Sequence, residues 1–119
     1  MSLRFSTEAA AALRDAIRAA GGVEVFAIGD VSDGTVTGLT VACRGTMDAV
    51  PALLSRPRTG QVVIHNHPSG NLMPSAADMH LAGTYGDDCI GVVIVDSAVE
   101  RSNWVVEPYA KVAADLEPA

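Results

Sequence analysis

The stretch HNHPSGNLMPSAAD, residues 65–78, links the apolar run QVVIH, residues 61–65, to the alanine-rich residues 75–85. A short β-branched run of this kind suits a buried strand. Pro68, Gly70 and Pro74 then make a turn-rich loop, which can return the chain over the strand's end. Ser75, followed three positions later by Asp78, opens a helix as a capping box does. Strand, tight loop and helix form one α/β step, and the rest of the chain is read outward from it.

Upstream, VEVFAIGDV (23–31) and TVTGLTVACRG (35–45) flank Ser32, Asp33 and Gly34. Gly34 supplies the positive φ a tight hairpin needs, so two antiparallel strands are expected. Residues 6–20 carry Ala9, Leu13, Ile17 and Ala20 at helical spacing after Ser6 and Thr7, and Gly21-Gly22 ends the pattern. Residues 47–54 read as a short helix ended by Arg56-Pro57. Downstream, CIGVVIVD (89–96) reads as a central strand, and ERSNWVVEP (100–108) as its partner, ended by proline. A short helix is expected over 109–116. With no repeat and no internal linker, the 119 residues predict one α/β domain, a mixed β-sheet sandwiched by helices.

Formal net charge is −6 and the sequence pI about 4.8, with the eight basic residues scattered along the chain. Direct nucleic acid binding is not expected, because displacing counterions from phosphates requires a basic face. Although 49% of residues are hydrophobic, no apolar run reaches the ~18 residues a membrane span needs. Nothing reads as an export leader, so no membrane association is expected and the cytoplasm is the default. Cys43 and Cys89 lie in apolar runs, as buried small hydrophobes do in a reducing compartment.

A strand pleat that continues through His67 turns the His65 and His67 imidazoles to one face and Asn66 to the other. The loop brings Asp78, one turn into its helix, within reach as a third ligand. Two neutral imidazoles and a carboxylate leave one tetrahedral zinc position open, the arrangement of catalytic zinc sites. Hydrolysis also needs a base, and Glu24 interrupts an apolar strand, where a carboxylate is costly without a task or partner. Each element has a plainer alternative: a His-x-His at a strand end need not bind metal, Ser75 and Asp78 can be a helix cap, and Glu24 can be an exposed strand residue.

Glu24 followed by His65-x-His67, seven residues, Ser75, two residues and Asp78 resembles the JAMM (MPN+) metallopeptidase motif. The wording HNHPSG…PS..D, Glu24-Val25-Phe26 and Gly45-Thr46 are similar to its RadC branch, over residues 22–106. The resemblance implies a cytidine-deaminase-like α/β/α fold and Zn²⁺ held by His65, His67 and Asp78. It implies Glu24 as the group that holds and deprotonates the water, and Ser75 as the group that steadies the tetrahedral oxyanion. The substrate it implies is a peptide or isopeptide.

RadC relatives usually carry a helix-hairpin-helix segment before this domain, and here a single helix is expected from Ser6. The long insertions of deubiquitinating relatives have no counterpart. The domain is also similar to JAMM modules at the N-terminus of DinG-like DNA helicases, which implies a module of a larger protein. A rival reading is a RadC-like interaction module that keeps zinc for stability and recruits a DNA-repair or helicase partner; Glu24 and Ser75, which a structural zinc does not need, favour the enzyme. A nucleobase deaminase is disfavoured because its Cys-x-x-Cys pair is missing. His80 is expected at the surface, Trp104 and Tyr85 in packing, and Arg44, Arg56 and Arg58 in solvent.

Overall fold

The computed structural model describes residues 4–21, 23–44 and 57–108, with backbone only for 42–44. Their elements are β1 (Arg4–Phe5), α1 (Thr7–Ala19), β2 (Val25–Ser32), β3 (Thr35–Arg44), β4 (Val62–Asn66), α2 (Ala76–Gly86), β5 (Gly91–Val95) and β6 (Ser102–Val106). The helices expected over 47–54 and 109–116 lie outside the described residues.

Ser6 caps α1, its Oγ accepting the Ala9 N–H at 3.0 Å. The β2–β3 hairpin closes through Asp33 (φ 50°) and Gly34 (φ 75°). Both central residues are left-handed, the turn whose twist matches the strands it joins. In the sheet the order is β1-β3-β2-β4-β5-β6. β1 on β3 and β4 on β5 are parallel, and β2 is antiparallel to both β3 and β4, as β5 is to β6. The sheet is therefore mixed, as expected. The two-residue strand β1 was not anticipated.

Alternation along the strands sorts the core into two faces. Ala9, Leu13 and Ile17 of α1 pack on Val25 and Ala27, Val36, Val62 and Ile64, and Val93 and Val95. Phe26, Val63, His65, Val92 and Ile94, all fully buried, are the alternate residues of the same strands and turn to the other face. There α2 packs on β5 and β6. Gly29 falls on the α1 face, where a Cβ would meet Ile64 Cδ1 and Val36 Cγ1 at 2.9 Å. The two faces and their helices make the α/β architecture, with the polar group His65 at the C-terminal end of β4.

Trp104 pairs with Val93 across β5 and β6 and packs against the α1-side core. Tyr85 is half-buried, Cys89 is buried and unpaired, and His80 and Arg58 are exposed. Among the described residues, no helix is long and apolar enough to cross a membrane. Of the strand boundaries that differ from expectation, one bears on the site: Glu24 lies just before β2 rather than inside a strand.

Candidate metal centre

All five residues of β4 are buried, and the pleat sends His65 toward α2. Past Asn66 the chain leaves the strand, but the His67 N–H still bonds the Val95 carbonyl at 3.0 Å, which keeps His67 close to the sheet's end. The chain then turns tightly: the Gly70 N–H reaches the His67 carbonyl at 2.9 Å, with Gly70 at φ 80°. Ser69 Oγ accepts the Asn71 N–H, and Asn71 Oδ1 accepts the Met73 N–H. The helix begins in a full capping box, Ser75 Oγ accepting the Asp78 N–H at 3.1 Å and Asp78 Oδ2 accepting the Ser75 N–H at 2.8 Å.

The cap therefore orients Asp78 rather than competing with another use of it. Its carboxylate, 1% exposed, stands with Oδ1 3.1 Å from His65 Nε2 and Oδ2 3.0 Å from His67 Nε2. One ligand atom from each of His65, His67 and Asp78 lies within 4.8 Å of the others, and together they could hold a metal ion.

Hydrogen bonding tests that fit. The Asn71 carbonyl lies 2.7 Å from His67 Nδ1. A carbonyl only accepts, so Nδ1 carries the proton and a neutral His67 turns the lone pair of Nε2 toward Asp78. Neither nitrogen of the buried His65 has a hydrogen-bond partner among the described residues. The His67 lone pair thus faces a buried carboxylate, and a cation, either a proton or a metal ion, would hold the two together. Bond lengths near 2.0 Å put the donor atoms of a tetrahedral zinc roughly 3.3 Å apart; each imidazole is that close to one oxygen of Asp78, and the set with one atom per residue spans up to 4.8 Å. Ligating histidines commonly donate their second N–H to a carbonyl, and His67 does so.

Glu24 stands where the antiparallel pairing of β2 and β4 brings it. Phe26 is opposite His65 in register, its ring stacked on the imidazole with centroids 5.0 Å apart. Glu24 Oε2 lies 3.5 Å from His65 Nδ1, with the Glu24 side chain 32% exposed. Asn66, directed to the opposite face, accepts the Val25 N–H at 2.8 Å and donates to Ser97 Oγ at 3.3 Å. That bond fixes the backbone next to Glu24.

Burial pushes the Glu24 carboxyl above its ordinary range; His67 opposes the rise and the Asp78 charge adds to it. For His65, burial lowers the pKa to about 4, against the pull of Asp78 and with a smaller push from His67. Both the candidate ligand and its acidic neighbour are thus held toward their neutral forms.

Ser75 caps the helix and is exposed; its Oγ accepts one bond, and its O–H stays available to donate. Sequence reading missed the Asn71 carbonyl and the use of Asn66 as a pin, although the pleat already turned Asn66 away from the two histidines. It also missed Arg101 and Asn103 of the β5–β6 hairpin, which bond the carbonyls of Gly70 and Leu72; two polar residues spaced two apart were the available signal. Arg56 and the side chain of Arg44 lie outside the described residues.

A comparison with curated proteins returned no match. The model of one family, described as RadC-like JAB domain, matches residues 19–103. The match takes in Glu24, His65, His67, Ser75 and Asp78, together with strands β2 to β5. With most of its length matched, this chain belongs to the RadC-like JAB domain family.

Proposed function

We propose that this chain is a zinc-dependent hydrolase that cleaves a peptide or isopeptide bond, with His65, His67 and Asp78 as metal ligands. One observation carries the reading: three ligand atoms converge within 4.8 Å beside a half-buried carboxylate that no ligand set requires. Bound there, zinc would supply Lewis-acid polarisation of a carbonyl and a lowered pKa for water. Glu24, its carboxyl raised by burial, takes the proton from the attacking water and hands it to the departing amine. The Ser75 O–H donates to the oxygen that becomes negative as the carbonyl is attacked. Phe26, His65 and the sheet beneath exclude bulk water from one side of the centre, which strengthens these electrostatic effects.

Glu24→Gln keeps shape and hydrogen bonding but removes basicity. Zinc should remain bound at wild-type stoichiometry, while hydrolysis of a peptide and isopeptide library falls about a hundredfold or more. Equal activity in the two proteins excludes Glu24 as base. Loss of zinc from the variant instead makes Glu24 a partner that orients His65.

A second reading, an interaction module for a DNA-repair or helicase partner, draws support from Met73 and Met79, which are 70% and 54% exposed next to the site. It predicts that metal-loaded wild type leaves every library member intact, and that Met79→Ser weakens partner binding without altering zinc affinity.

A further inference from the structure

We infer that Arg101 and Asn103 are positioning residues for the metal centre, acting through the loop of residues 68–74 on the tautomer of His67. This rests on the metal-ligand reading of His65, His67 and Asp78.

The loop joins the histidines to Asp78, and its Asn71 carbonyl accepts the His67 Nδ1 proton at 2.7 Å. That bond decides which nitrogen of the ring keeps a lone pair, because a neutral imidazole carries one proton on one nitrogen. Were Nδ1 to lose its acceptor, the proton could move to Nε2, the atom 3.0 Å from Asp78, and the ring would no longer be a ligand there. The direction of one loop carbonyl therefore controls the site.

Two side chains from outside the loop hold the residues on either side of that carbonyl. Arg101 Nη2 donates to the Gly70 carbonyl at 3.0 Å, and Asn103 Nδ2 to the Leu72 carbonyl at 2.9 Å. Within β6 the pleat turns Asn103 to the face that carries His65 and α2, opposite to Trp104, which packs on the α1-side core; Arg101, just before the strand, reaches the same loop through its guanidinium. Gly70 and Leu72 are two apart, and Asn71 lies between them. Loop carbonyls 70 and 72 are thus fastened to the sheet, and carbonyl 71 is left directed at His67. Arg101 is anchored in turn: Asp96 Oδ1 accepts its backbone N–H at 3.0 Å and that of Glu100 at 2.8 Å. The β5–β6 hairpin is a scaffold for the second coordination sphere, whose loss typically costs about 10–100-fold in metal affinity.

The test uses the full chain with Arg101→Met, Asn103→Leu and the double variant, each removing donors without adding charge. Arg101→Lys, which keeps a donor, is the rescue. Three quantities are read: zinc affinity by competition with a chromophoric chelator, the ¹⁵N shifts of the His67 ring in metal-free protein at about pH 8, and the apo melting midpoint. In the double variant zinc affinity should fall about tenfold or more and the ring should shift from Nδ1–H toward Nε2–H. The apo midpoint should move little, since Arg101 is exposed and Asn103 only half-buried. Arg101→Lys should restore part of both. Wild-type affinity and tautomer in the double variant would overturn the inference, as would an affinity loss with an unchanged tautomer. Failure of the wild-type chain to bind zinc would instead overturn the metal reading, and the metal-free ring shifts would still decide whether the brace sets the tautomer.

Discussion

Glu24 and His65 are strained in the same sense, because the fold favours the neutral form of each. With the folded Glu24 pKa raised by burial, the folded state binds the proton more tightly than the unfolded chain. Stability attributable to this group is present at low pH and is lost as pH rises past the ordinary carboxylate range, so at neutral pH the charge is a burden. Glu24→Gln should therefore raise the melting midpoint of the metal-free protein at neutral pH, and the gain should vanish in acid; an unchanged midpoint at both pH values would contradict this. For His65 the folded pKa is lowered from 6.5 to about 4. Between those values the unfolded chain holds the proton, so metal-free protein should lose stability as pH falls from 6.5 toward 4. A His65→Asn variant should show a flatter pH profile over that window in thermal melts.

At the scale of elements, the decisive joint is the start of β2. Asn66→Ala removes the acceptor of the Val25 N–H and should cost about 1–3 kcal/mol, the penalty for an unsatisfied buried donor. Chemical denaturation with an unchanged slope would check this, and a loss well below that range would show that the β2 start is held by other contacts. The same bond explains why Glu24 was misplaced by one step: its strand-like neighbours are legible in the sequence, but pairing begins at Val25, where a side chain 41 residues away accepts the first N–H. Local signals were otherwise sufficient. Helical spacing located α1, β-branched runs located β2 to β6, and Ser75 with Asp78 located the start of α2. β1 has two residues and no periodicity to read. Ser75 and Asp78 carried two readings, helix cap and metal centre, and the structure shows the cap with Asp78 inside the ligand cluster, because a capping carboxylate still has an oxygen to present. The brace from Arg101 and Asn103 spans 31 residues; two polar residues spaced two apart hint at it, but a local pattern cannot say which distant carbonyls they bond. On the α1 face, Gly29→Ala should destabilise by about 1–3 kcal/mol through overpacking against Ile64 and Val36; a neutral result in the same denaturation assay would mean those side chains can withdraw.

For the whole molecule, charge and sheet direction set the limits. A formal charge of −6 predicts weak binding to duplex DNA, checked by titration at low salt; micromolar affinity that declines steeply with added salt would show a basic face that the linear sequence conceals. Direction matters more for how the protein can change. Because β2 runs away from Glu24 and β4 runs toward His65, the candidate site groups lie at one end of the sheet, while the Asp33-Gly34 turn lies at the other, roughly 25 Å off for an eight-residue strand. Length there is limited by β1, because the Gly34 carbonyl accepts the Arg4 N–H at 3.0 Å. Residues added at the turn lengthen the loop without shifting the β2–β4 register, which is set between Phe26 and Gly29. A reporter peptide or affinity tag spliced into a lengthened turn would ride on the protein as a passenger, leaving the distant end of the sheet unaware of it.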